Sequence, residues 1–166
     1  MDYAAALRFL DAHINLEAKA GRWEGLSLAR IRSVMAAMGD PQSAYPVVHV
    51  TGTNGKGSTV LMITELLKAH GLRVGTYMSP HVERINERIR IDGVPLDDEQ
   101  FGEAIAEVAR LAPLLDEELS HFEVLTAAAL NWFAQAPVDV AVVEVGLLGR
   151  WDATNVVDAQ VAVVTN

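Results

Sequence analysis

The chain has 166 residues, 51% of them apolar, with 13 lysines and arginines against 22 aspartates and glutamates, a net charge of −9 and no cysteine. This length suits one domain with a substantial core rather than two. The acidic balance argues against a general nucleic-acid or anionic-membrane binder, which would need a broad basic surface, and the lack of cysteine excludes disulfides and thiolate metal sites.

The N-terminus, Met1-Asp2-Tyr3, lacks the basic start and apolar core of a signal peptide. No apolar run approaches the ~18 residues needed to cross a bilayer, so a cytoplasmic location is expected. Leu7, Leu10 and Ile14, then Leu28, Ile31, Val34, Met35 and Met38, recur at helical spacing and predict two helices, the second ended by Gly39-Asp40-Pro41. Tyr45 to Thr51 is continuous, β-branched and strand-like, as in a strand covered on both faces. A glycine-rich loop follows, then a helix through Leu61, Ile63, Leu66, Leu67 and Lys68 closed by Gly71, and a second strand over Arg73 to Met78. Strand, loop, helix, strand is a βαβ unit whose crossover helix starts at the loop.

Glu87 to Asp92 alternates, with Ile89 and Ile91 on one face and Arg88, Arg90 and Asp92 on the other, which predicts a half-solvated strand in a hairpin closed at Asp92-Gly93. Asp97-Asp98-Glu99 opens a helix through Phe101, Ile105, Val108 and Leu111. An alanine- and leucine-rich helix over Ser120 to Ala134 is expected to be buried, and strands over Val138 to Val145 and Gln160 to Thr165 complete the order. The alternation predicts an α/β fold of P-loop type with three layers, a mostly parallel sheet carrying helices on both faces.

Two places carry chemistry. Gly52-Thr53-Asn54-Gly55-Lys56-Gly57-Ser58-Thr59 joins a strand to a helix. Its glycines let successive N–H groups turn inward, and the helix adds its positive dipole end, so the segment is suited to a triphosphate. Lys56 would reach the β/γ-phosphates, and Ser58 or Thr59 would face magnesium. Val50 replaces the first glycine of the usual G-x-x-x-x-G-K-[S/T] pattern and Gly57 follows Lys56, so the loop is a variant, with a plain tight turn as its alternative. The second place is Glu144 inside Val142-Val143-Glu144-Val145-Gly146, where a carboxylate is costly to bury unpaired. At the carboxyl ends of parallel strands it would meet Thr51-Gly52 and Ser79 and serve magnesium, unless Arg150 or a helix arginine pairs with it.

These segments, with Ser79-Pro80-His81, Glu83-Arg84-Ile85, His121-Phe122-Glu123 and Glu144-Val145-Gly146-Leu147-Leu148-Gly149-Arg150-Trp151-Asp152-Ala153-Thr154-Asn155, resemble in order the folylpolyglutamate synthase/dihydrofolate synthase family of Mur-ligase-like, ADP-forming amide ligases. The resemblance implies that ATP phosphorylates a folate or dihydropteroate carboxylate and that the amine of L-glutamate attacks the acyl phosphate. It implies ATP phosphates on Gly55 to Ser58 with Lys56 on the transferring phosphoryl group, and magnesium (Mg2+) on Ser79, Glu144 and Ser58. Pterin would lie against Gly25, Leu26, Ser27 and Leu28, Ser120 with Phe122, and Trp151, Asp152 and Ala153. Asp152 would hold the pterin amidine edge bidentately and Phe122 or Trp151 would stack on its ring, with core packing as the alternative for these aromatics.

Leu148 stands where the family usually has glycine. His81 reads as a turn residue after Pro80, with a phosphate or metal contact as its alternative, and His49 as a satisfied core histidine. Family members are longer. Beyond a strand like Val161 to Thr165 they carry a histidine that completes the metal site, a carboxylated lysine and a second domain that serves adenine, ribose and glutamate. Residues 1–166 are therefore expected to be the N-terminal ATP-binding domain, like the central domain of Mur ligases, without the glutamate-ligase domain and without activity alone, the longer protein being a monomer. The alternatives are a nucleotide- or pterin-binding module without catalysis, and a Mur-type ligase fragment acting on a cell-wall precursor.

Overall fold

The computed structural model describes residues 1–15, 27–147 and 149–166. Their strands form a single mixed sheet: β1 (Val47–Thr51), β2 (Val74–Tyr77), β3 (Ile89–Ile91), β4 (Val94–Pro95), β5 (Val140–Glu144) and β6 (Val161–Val164), in the order β4-β3-β2-β5-β1-β6. The apolar strands β2, β5, β1 and β6 are parallel, and β3 and β4 extend one edge antiparallel. The helices are α1 (Tyr3–Asp11), α2 (Ala29–Ala37), α3 (Lys56–Ala69), α4 (Asp98–Leu111) and α5 (His121–Gln135). Side-chain caps start three of them: Asp2 on α1, and capping boxes of Asp97 with Gln100 on α4 and of Ser120 with Glu123 on α5.

Helices cover both faces, unequally. Strand parity sends Val50, Val74, Val140 and Val142 to one side, where they pack on Val60 of α3. Val47, Tyr77, Ala141 and Val143 face the larger core built with α1, α2, α4 and α5. Within that core α5 is buried nearly all round, as its composition predicts, and Phe133 comes so close to β2 that a methyl on Gly75 would lie 2.6 Å from its Cδ1. The Tyr45 hydroxyl donates to the Leu130 carbonyl at 2.6 Å, tying the entry of β1 to α5.

Local differences have physical reasons. Ile14 lies beyond α1 and is exposed; its carbonyl accepts the His121 N–H at 3.0 Å, so the backbone rather than the side chain continues the contact. Tyr45 precedes β1 instead of opening it. The stretch expected as a strand from Glu87 is a 3-10 turn over Ile85–Arg88 before the three-residue β3, because the Glu87 carboxylate accepts the N–H groups of Val82, Glu83 and Arg84 and curls the chain. Arg88 is buried rather than solvated, with Nε donating to His81 Nδ1 at 3.0 Å. Among the described residues, no helix is long and apolar enough to cross a membrane.

Candidate functional site

The two faces of the sheet present different chemistry at its carboxyl edge. On the α3 side, β1 runs into Gly52, whose φ of 140° lies in the region open to glycine, and a side chain at that position would collide with Thr165. Thr53 and Asn54 N–H donate to the Asn166 carbonyl at 2.8 and 3.2 Å, and Thr165 N–H to the Thr51 carbonyl at 2.8 Å, so the first limb of the loop is pinned to the segment after β6. Gly55, left-handed at φ 80°, is the N-cap of α3, and no side chain caps that helix. The first-turn N–H groups of a helix have no acceptor within it, and together with the helix dipole they favour an anion at Lys56, Gly57 and Ser58.

Glu144 follows Val140 and Val142 in parity and so points to the same side. It is 3% exposed, and its Oε2 accepts the Ser79 N–H at 3.0 Å. A methyl at Gly57 would lie 3.9 Å from both carboxylate oxygens and 3.5 Å from Met78 Cε, so the loop and the acid are neighbours. Burial pushes the Glu144 carboxyl above the usual carboxylate range, while the Ser79 N–H and the Lys56 charge act in the opposite sense. The ion pair with Arg150 considered as an alternative does not form: that guanidinium stacks on the Trp151 ring, 4.9 Å from its centroid. Among the described residues no three acidic or histidine side chains cluster to hold a metal by themselves.

The opposite face gathers the residues with pterin-like expectations in two groups. Phe122, on the first turn of α5, is buried against Tyr77, and a methyl at Gly146 would lie 2.7 Å from Phe122 Cζ and 2.9 Å from Asp152 Oδ2. Ala153 is buried beside them, and the Ser120 hydroxyl is spent on the Glu123 N–H at the start of α5. Asp152 is already engaged in hydrogen bonds. It is fully buried, its Oδ1 accepts the Thr154 N–H and hydroxyl at 3.1 and 2.7 Å, and its Oδ2 accepts the Leu147 N–H at 3.0 Å. These three bonds organise the loop between Leu147 and Thr154.

The second group opens to solvent. Ser27, Leu28 and Trp151 line a cleft of about 550 Å³ with Arg32, Arg150 and Asn155, a size within the usual range for small-molecule pockets. Trp151 is 40% exposed, so its ring is accessible rather than core. Gly25, Leu26 and Leu148 lie outside the described residues.

Sequence reasoning missed Arg32, Asn155, Met78 and Gly146. Arg32 was findable, since it follows Leu28 by one helical repeat and shares its face. Met78 and Gly146 matter only through what approaches them in space. His49 is half-buried and satisfied, its Nε2 lying 2.8 Å from Thr154 Oγ1.

No family model matches the chain. It is 47% identical over 150 residues to a dihydrofolate synthase/folylpolyglutamate synthase of Mycobacterium tuberculosis, a match covering 84% of this chain and 31% of that protein. It is 45% identical over 141 residues to the protein of the same description from Haemophilus influenzae, covering 85% and 32%. Among solved structures, Mycobacterium tuberculosis folylpolyglutamate synthase complexed with ADP superimposes with a TM-score of 0.88 at 43% identity, over 98% of this chain and 37% of that one. An FPGS–AMPPCP–folate complex superimposes with a TM-score of 0.87 at 37% identity, over 99% and 40%. The chain thus spans about a third of the length of the curated relatives it matches. By sequence identity and fold together, this chain belongs to the folylpolyglutamate synthase/dihydrofolate synthase family.

Proposed function

We propose that this chain is the ATP-binding domain, like the central domain of Mur ligases, of an enzyme that joins L-glutamate to a folate or dihydropteroate carboxylate. In that reaction a carboxylate oxygen attacks the γ-phosphorus of ATP and ADP leaves. The glutamate nitrogen then attacks the acyl carbon, loses a proton and expels phosphate, leaving an amide. The observation that carries this reading is the buried Glu144 carboxylate set against Gly57 in a loop of free helix-terminal amides. Support also comes from neighbours of known structure that were solved with ADP or with AMPPCP and folate.

On this reading Gly52 to Thr59 cradle the nucleotide phosphates, and Lys56 stabilises the charge on the transferring group. Magnesium suits the donors present: one buried carboxylate and the hydroxyl-bearing residues Ser58 and Ser79 are hard oxygen ligands, and phosphate oxygens with water are its usual completion. Glu144, Ser58 and Ser79 would hold it, and when bound it supplies charge neutralisation at the phosphoryl group. Ser27, Leu28 and Trp151 form the open acceptor surface, and the buried Phe122, Ser120 and Ala153 belong to the same acceptor site. Asp152 serves that surface by shaping its loop.

For the 166 residues alone we expect nucleotide binding without amide formation, because joining two substrates requires every group that positions them. In a protein carrying this sequence at the full length of its relatives, ADP release should require both a pteroate or folate and L-glutamate. Equal ADP release with either one withheld would remove the assignment.

A further inference from the structure

A hydrogen-bonded path on the buried side of β1 joins the two halves of the site. His49 follows Val47 in parity, so it faces away from α3 and from Glu144. Its Nε2 lies 2.8 Å from Thr154 Oγ1. That hydroxyl has one hydrogen and donates it to Asp152 Oδ1 at 2.7 Å. With the hydrogen committed, Thr154 Oγ1 accepts from the ring, which places a proton on His49 Nε2. Burial lowers the proton affinity of the ring against the pull of Asp152, favouring the uncharged Nε2–H form.

Asp152 passes the path on. Its Oδ2 accepts the Leu147 N–H at 3.0 Å and would lie 2.9 Å from a methyl at Gly146. His49, Thr154, Asp152 and Leu147 therefore connect the strand that feeds the phosphate loop with the backbone that leaves Glu144 and with the turn that carries Trp151. A histidine that only filled space would need no such donor.

We propose that His49 is a positioning residue: its Nε2–H bond to Thr154 fixes the turn around Asp152 against β1 and so aligns the acceptor surface of Trp151 and Phe122 with the phosphate loop. This rests on reading that surface as the folate or pteroate site. His49→Leu keeps the bulk and removes the donor. His49→Gln keeps an amide donor at about the reach of Nε2.

The experiment uses the full chain with folic acid and with AMPPCP–magnesium as probes, together with nitrogen NMR of the ring. The wild-type ring should be protonated at Nε2. Loss of one partly buried hydrogen bond should weaken folic acid binding about tenfold in His49→Leu and leave AMPPCP binding within about twofold, with His49→Gln within about threefold of wild type for both. A ring protonated at Nδ1 alone, folic acid binding unchanged in His49→Leu, or equal loss of both ligands would overturn the role of His49. Wild-type protein that binds AMPPCP and no folic acid would instead take down the acceptor reading and this inference with it.

Discussion

At Glu144 two demands conflict. A carboxylate with one backbone donor and a nearby lysine is poorly compensated for burial, and its proton affinity rises accordingly. A carboxyl raised in the folded state contributes stability below the ordinary carboxylate range and loses it as pH rises through the raised value. Glu144→Gln should therefore melt at a higher temperature than wild type near neutral pH, with the gain shrinking in acid, and should lose the magnesium dependence of nucleotide binding. A lower melting temperature at neutral pH would contradict this account. Lys56, half-exposed on the first turn of α3, has the converse profile. Removing a charged donor to a phosphate should weaken AMPPCP binding about ten- to a hundredfold. Calorimetry of Lys56→Ala should show that loss with the melting temperature nearly unchanged, and wild-type affinity in the variant would refute the phosphate role.

Among the elements, α5 links packing to the site. Its cap is reciprocal: Ser120 Oγ accepts the Glu123 N–H and Glu123 Oε2 accepts the Ser120 N–H, while the same carboxylate receives Arg30 Nε of α2 at 3.2 and 3.1 Å. Ser120 thus starts the helix that presents Phe122, while Glu123 of the same cap holds Arg30 of α2. Ser120→Ala should cost about 1 kcal/mol, the usual value of a cap, read as a lower denaturant midpoint with unchanged slope. A midpoint equal to wild type would show that the cap does not hold α5. The strands divide labour by parity, β5 sending Val140, Val142 and Glu144 to α3 and Ala141 and Val143 to the larger core. Alternation this regular in a strand buried on both faces is invisible in composition, since both sets of side chains are apolar until Glu144.

For the molecule as a whole, acid stability is a balance of groups with opposite signs. Glu87 is held down to about 2 by the N–H groups of Arg84, Val82 and Glu83. A depressed carboxyl contributes stability above the ordinary carboxylate range and loses it as pH falls toward its folded value. His49, lowered by burial, destabilises the fold as pH falls below the ordinary imidazole range, because the unfolded chain takes up the proton first. Glu144 acts in the opposite sense. Melting temperatures of Glu87→Gln and wild type should therefore differ at neutral pH and converge as pH approaches about 2. A constant difference across that range would mean that the carboxylate charge does not hold the turn.

Much of this was legible in the chain itself. The βαβ order, the loop with Lys56 and the acid in the fifth strand follow from local rules: period-two and helical apolar patterns, glycine where the backbone must turn, and the cost of burying a charge. What the tertiary structure alone decided is which atoms are already engaged. Asp152, whose side chain in sequence looks free to meet a ligand, spends both oxygens on Leu147 and Thr154. Arg88 turns inward to His81, and Ser27 and Trp151 meet across one cleft though they lie far apart along the chain. Hydrogen-bond saturation and long-range approach depend on how strands and helices stack in space, and no local pattern of residues encodes them.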